Sequence, residues 1–184
     1  MSDCIDRGTL DRLFDEVRPF RRPPVQTWHP ERMVDFDLEI RADGSWIHEG
    51  GVIGRHELVK LFSTVLARRD GDFFLITPTV GYRIRVEDTP FQVVEVSVEG
   101  GHDGRRIWFR TNMDETIPLD RDHPLDPRID PKTGEPDPVV LIRDGLKARL
   151  KRSAYYHLAE MAERELPGSE VYGVRSGGVF FPLM

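Results

Sequence analysis

Two hydrophobic periods alternate along this chain, and the points where one gives way to the other outline the fold. Leu10, Leu13, Phe14 and Val17 recur at helical spacing, with Thr9 placed as an N-cap, so residues 9–17 are predicted as a short helix. Residues 18–30 carry Pro19, Pro23, Pro24 and Pro30 and are predicted as an extended arm. Phe36, Leu38 and Ile40 then alternate with Asp35, Asp37, Glu39 and Arg41, the period of a half-buried strand. Asp43-Gly44 turns that strand into Trp46–His48, and Val52-Ile53 adds a short third strand after Gly50-Gly51. Leu58, Leu61, Phe62, Val65 and Leu66 form one wide apolar stripe, which predicts a helix over 55–69 closed by Asp70-Gly71-Asp72.

The next stretch reads as β-structure. Residues 73–77 are almost continuously apolar, and residues 78–81 turn. Tyr82, Ile84 and Val86 alternate with Arg83, Arg85 and Glu87, and residues 91–99 form a strand whose alternation slips at Val93-Val94, the mark of a bulge. Residues 105–112 are its partner. Residues 113–138 hold six prolines and are predicted to be irregular, and a strand at 139–142 follows. Leu146, Leu150, Ala154, Leu158 and Met161 fall on one helical face, so a helix is predicted over 145–165 with Asp144 as its cap. The apolar Val179-Phe180-Phe181 implies that the tail docks on the body.

These elements give an α+β fold with partly segregated helices and antiparallel hairpins. The expected organisation is an N-terminal helix and arm at 1–27, a hairpin-plus-helix domain at 28–70, a partly open small barrel with a C-terminal helix at 71–166, and a docked tail at 167–184. The pattern also echoes itself. Asp43-Gly44, a strand, then Arg55 and a helix is answered by Asp103-Gly104, a strand, then Arg143 and a helix. Such an echo predicts two related halves with a site between them.

Composition narrows the chemistry. A net charge of −6 argues against general nucleic-acid binding. No apolar run is long enough for a membrane span, the first residues lack the apolar core of a signal peptide, and one cysteine, Cys4, allows no internal disulfide. The expected location is the cytoplasm. Six scattered histidines fail metal-ligand spacing: His56-Glu57 opens like a zinc-protease helix, but Lys60 stands where the second ligand belongs. No nucleophile elbow occurs, so neither a catalytic residue, a metal nor a cofactor is expected, and an enzyme would need catalytic groups gathered from distant positions.

Anion binding has more to recommend it. Gly50-Gly51 and Gly54 precede a helix, and glycines there admit a phosphate to free backbone N–H groups; the plainer reading is a flexible hairpin exit. Arg143, Lys147, Arg149, Lys151 and Arg152 crowd the start of the second expected helix, where cations oppose the macrodipole; they form either a solvated face or an anion site. Arg55 and Arg143 each stand at an expected helix start, able either to fork onto a phosphate or to salt-bridge the other half. Trp46 offers an aromatic face, His48 lies beside it on the strand, and Thr77, Thr111 and Asn112 end strands, where they orient a ligand or cap turns.

Asp43-Gly-Ser-Trp46, the run from Arg55 to Phe62, Ile76-Thr-Pro78, the run from Val86 to Phe91, Phe109-Arg-Thr-Asn112 and the run from Val140 to Leu146 occur in this order and spacing. In that ordered set the chain resembles a proteobacterial family of unknown function with a duplicated core and a pleckstrin-homology-like second half. The resemblance spans Trp28 to Glu165. It implies two domains and a regulatory role in binding a small, nucleotide-like ligand for signalling, and it brings no catalytic residue. The family's acidic and basic pair after the Thr-Pro turn is replaced by Thr79-Val80-Gly81. The expected function is therefore a regulatory protein binding a small anionic molecule through Trp46, His48, Arg55, Thr77, Thr111, Asn112, Arg143, Lys147 and Arg152. The alternative is a protein-interaction module with a protein partner and no small ligand.

Overall fold

A computed structural model describes residues 8–19, 23–101 and 104–183. Cys4 and the Asp103 turn of the echo lie outside the described residues. The chain forms two compact units, Met1–Asp88 and Thr89–Met184.

In the first unit, helix α1 (Gly8–Val17) buries Leu13 and Val17, as its spacing predicts. Strands β1 (Arg32–Ile40), β2 (Trp46–His48) and β3 (Gly51–Val52) form an antiparallel meander. Helix α2 (His56–Thr64) follows, and β4 (Leu66–Arg69), β5 (Asp72–Ile76) and β6 (Val80–Val86) form a second meander. The sheet order is β3-β2-β1-β6-β5-β4, and its one parallel junction, β1 with β6, joins the two meanders. Phe36, Leu38, Ile40, Trp46, Leu75, Tyr82 and Ile84 are buried in the core.

The second unit repeats this order. Strands β7 (Phe91–Glu99), β8 (Arg106–Thr111) and β9 (Thr116–Pro118) make one meander; β10 (Leu125–Asp126), β11 (Val139–Arg143) and β12 (Leu146–Leu150) make the other. They lie as β10-β11-β12-β7-β8-β9, again joined by one parallel pair, β7 with β12. This sheet curls into a half-barrel, and helix α3 (Arg152–Ala159) follows β12, so the α+β fold with two related halves holds. The predicted bulge is present, since the β7–β8 register shifts between Val93 and Glu95. The tail forms a three-stranded sheet of β13 (Glu163–Arg164), β14 (Tyr172–Ser176) and β15 (Val179–Pro182). Val174, Phe181 and Leu183 are buried, and Ser176 Oγ accepts from the Ile107 N–H at 3.0 Å, which ties the tail to β8.

Four expectations change. The helix predicted over 55–69 ends at Thr64 and its last four residues are β4. Asp70 and Gly71 both take positive φ, 51° and 92°, which makes them the two-residue turn of the β4–β5 hairpin rather than a helix stop. The helix predicted over 145–165 is strand β12 plus the eight residues of α3. Asp144 and Gly145, at 46° and 77°, turn the β11–β12 hairpin in the same way. Leu146, Ala148 and Leu150 are buried while Lys147 and Arg149 point away, so a period of two wins where a period of 3.6 also fits. The segment 113–138 contains β9 and β10 rather than being wholly irregular. The expected boundary after residue 70 moves to 88, because β5 and β6 complete the first sheet by pairing with β4 and β1.

The topology also recasts the echo. The hairpin β1–β2 corresponds by strand order to β7–β8. Arg55 and Arg143 do not correspond. Arg55 precedes α2, which lies between the two meanders, whereas Arg143 ends β11, the counterpart of β5.

Candidate functional site

The residues predicted to bind a ligand separate into three kinds of environment. Thr77 and Thr111 serve their own turns, and Asn112 ties its turn to β7. Thr77 Oγ1 accepts from the Val80 N–H and donates to the Val80 carbonyl, each at 3.0 Å. Thr111 Oγ1 accepts from the N–H groups of Met113 and Glu115, both at 3.2 Å. Asn112 Oδ1 accepts from the Gln92 N–H at 3.0 Å, beside the β7 bulge. Thr77 and Thr111 thus cap turns, whereas the Asn112 bond runs to the neighbouring strand.

The basic residues of the second unit carry carboxylates. Arg143 pairs with Glu115 and stacks 5.1 Å over Phe91; Lys147 Nζ lies 3.0 Å from Asp126; Arg152 pairs with Glu135. Arg149 pairs with Asp137, which also holds Arg128 at 2.7 Å. All these acids come from the proline-rich segment 113–138. The extra length of the second copy therefore supplies counter-charges for β11, β12 and the start of α3. Arg143, Lys147 and Arg152 do not crowd one helix: the first two lie on strands and only Arg152 begins α3. The reason is the Asp144-Gly145 hairpin.

The first unit brings Trp46 and His48 together. Both lie on β2, two positions apart and therefore on one face, opposite Ile40 and Leu38 of β1. Trp46 is 1% exposed, and its indole Nε1 has no hydrogen-bond partner among the described residues. His48 Nδ1 lies 2.8 Å from the Asp37 carbonyl, while its Nε2 is buried and likewise without a partner. The His48 ring is 5.0 Å from Phe36, and Phe36 meets Tyr82 edge-on at 5.4 Å, forming an aromatic row across β2, β1 and β6. Arg55 is exposed, and its carbonyl accepts from Leu58 and Val59 at the start of α2.

Glu16 on α1 is the residue that sequence reasoning missed. Its Oε1 accepts from Thr79 Oγ1 at 3.1 Å, while Oε2 is buried without a partner. Burial, and then the Glu16 charge, push the Tyr82 phenol above its ordinary value, and Arg32 and Arg12 oppose them. The signal was present in the helical spacing, because Glu16 stands three residues after Leu13 and one before Val17, on the buried stripe. Among the described residues, every buried side-chain polar atom without a partner belongs to this unit.

Residues 23–89 match the N-terminal domain of DUF1285, a domain of unknown function, and residues 90–183 match the C-terminal domain of the same protein of unknown function. The chain belongs to the DUF1285 family. This is the proteobacterial family to which the ordered motifs pointed. A crystal structure of a DUF1285 family protein from Silicibacter pomeroyi DSS-3 is 35% identical, covers 94% of this chain and 94% of its own, and superposes with a TM-score of 0.85. Another, from Shewanella baltica OS155, is 23% identical, covers 67% of this chain and 91% of its own, and has a TM-score of 0.55, a likeness of fold alone. No curated protein matches.

The DUF1285 boundary at 89–90 falls within one residue of the division between the compact units. Among the described residues, no group of three or more His, Cys, Asp or Glu could hold a metal ion. No helix among them is long and apolar enough to cross a membrane.

Proposed function

We propose that this protein is a regulatory or signalling protein that binds a small anionic molecule, with nucleotide-like compounds as the first class to test, and that the first unit holds the ligand. One observation carries the reading: Trp46 Nε1 and His48 Nε2 are buried on one face of β2 without a partner among the described residues. An unmade hydrogen bond at a buried polar atom costs about 1–3 kcal/mol, and such atoms are kept where a partner arrives. Arg12 and Arg32 oppose the Glu16 charge at Tyr82, which ends the same aromatic row, and are the cations of this unit that the reading assigns to the ligand's negative charge. The basic residues of the second unit serve this reading less well, because carboxylates already balance them.

Recognition of a partner by strand addition meets poor edges. Strands β3 and β10 have two residues each, β9 ends in Pro118, and the Arg69 side chain ties the arm to β4 by donating to the carbonyls of Val25 and Trp28.

The test is thermal unfolding of the whole chain with a panel of nucleotides and phosphorylated metabolites. A ligand at about 100 times its Kd adds about 2.7 kcal/mol of stability. Stabilisation that His48→Ala removes, with Arg152→Ala unaffected, supports the reading. No stabilisation by any member, or loss with Arg152→Ala alone, overturns it.

A further inference from the structure

The two orphaned nitrogens are not alike, and the difference selects a ligand group. His48 Nδ1 faces the Asp37 carbonyl at 2.8 Å. A carbonyl oxygen only accepts, so Nδ1 carries the proton, and in the corresponding tautomer Nε2 presents a lone pair. Trp46 Nε1–H can only donate. One face of β2 therefore offers a buried donor and a buried acceptor two positions apart. An ionised phosphate or carboxylate oxygen satisfies the indole but sets its lone pairs against that of His48, which among anions only a P–OH could meet. An alcohol hydroxyl both accepts and donates, and neighbouring hydroxyls can serve the two nitrogens separately. Phe36, buried and 5.0 Å from the His48 ring, makes the surroundings of that ring apolar. His48 pairs with Gly51 of the two-residue edge strand β3, so the pair lies close to the rim of the sheet.

We infer that Trp46 and His48 read hydroxyl groups, so that the ligand of this site is a phosphorylated polyol or sugar rather than a bare anion. This rests on the ligand-binding reading above. The hydroxyl end meets β2, and the phosphate is the anionic group that the reading above already requires.

Nitrogen-15 NMR of the whole chain tests it, with the Trp46 indole resonance assigned by its loss in Trp46→Phe. The probes are ribose 5-phosphate, glycerol 3-phosphate, inositol 1-phosphate and inorganic phosphate. At least one polyol phosphate is expected to shift the Trp46 indole resonance saturably and to bind about tenfold or more tighter than inorganic phosphate. His48→Gln, which keeps an acceptor, retains that preference, and His48→Phe loses it. If inorganic phosphate shifts the resonance as strongly, the hydroxyl inference falls while ligand binding stands. If none of the four shifts it, the hydroxyl inference falls, and the ligand reading is decided separately by the nucleotide panel. The ring-nitrogen shifts of His48 in the unsubstituted protein check the premise without a variant: a bare Nε2 is expected, and a proton there overturns the inference.

Discussion

The two units share a strand order and treat their polar groups in opposite ways. In the second, the cations of β11, β12 and α3 are met by acids from one proline-rich segment. In the first, the described ion pairs of Arg83 and Arg85 with Asp35, Asp72, Asp37 and Glu39 lie on the outer face, while Trp46 and His48 on the inner face and Glu16 on α1 keep unmatched atoms. A duplicated framework thus carries one copy whose charges are balanced internally and one copy with unused hydrogen-bonding capacity. The charged copy attracts attention in the sequence, but the unmatched atoms are the reason the ligand is proposed for the other copy.

The largest test of that contrast is Asp137→Ala. It strips a nearly buried carboxylate from both Arg128 and Arg149 and is expected to cost about 3 kcal/mol, measured by urea unfolding. A neutral result would mean that these ion pairs do not hold the second unit. Arg143→Ala removes the Glu115 pair and the stacking on Phe91, and about 2 kcal/mol is expected, with no change in any small-molecule response. A variant that kept its stability but lost a ligand response would return the site to the second unit.

Glu16→Gln sharpens the other side. It removes a charge from a carboxylate with one unmatched oxygen and keeps an acceptor for Thr79, so a gain of about 1 kcal/mol is expected at neutral pH. It also lowers the Tyr82 pKa toward 10.0, because the second cause of its rise is gone while burial remains. A phenol raised in the folded state contributes stability that is full below the unfolded value and is lost as pH rises through the folded one. The unsubstituted protein therefore loses more stability than the variant above about pH 10 and the variant's advantage grows there, which phenolate absorbance and unfolding at alkaline pH both report. The smallest effect belongs to Arg85→Ala. Its side chain is 65% exposed, and loss of its pairs with Asp37 and Glu39 is expected to cost under about 0.5 kcal/mol.

Where the periods are unambiguous, the elements were legible. The alternation from Asp35 to Arg41 gave β1, the slip at Val93-Val94 marked the bulge, and the spacing of Leu13 and Val17 gave α1. Where two periods coincide, as from Leu146 to Leu150, the helical reading was the wrong one. The Asp-Gly pairs at 70–71 and 144–145 were the better guide, because hairpin turns need the positive φ that such pairs tolerate. Of the site, Trp46 and His48 were legible as an aromatic and a polar neighbour on one strand. That their nitrogens are unmatched was not, since a hydrogen bond is a property of two positions and sequence displays one at a time.

The sequence by itself determined the family, the α+β class, the Asp43-Gly44 hairpin and the bulge at Val93-Val94. These follow from local period, turn chemistry and ordered motifs, which need no knowledge of distant neighbours. Only the tertiary structure decided that β1 lies beside β6 and β7 beside β12, that the acids of 113–138 meet the cations of β11, β12 and α3, and that Glu16, Trp46 and His48 keep buried atoms without partners. Strand pairing and charge pairing join residues far apart along the chain, so their partners are fixed by the packing of the whole unit.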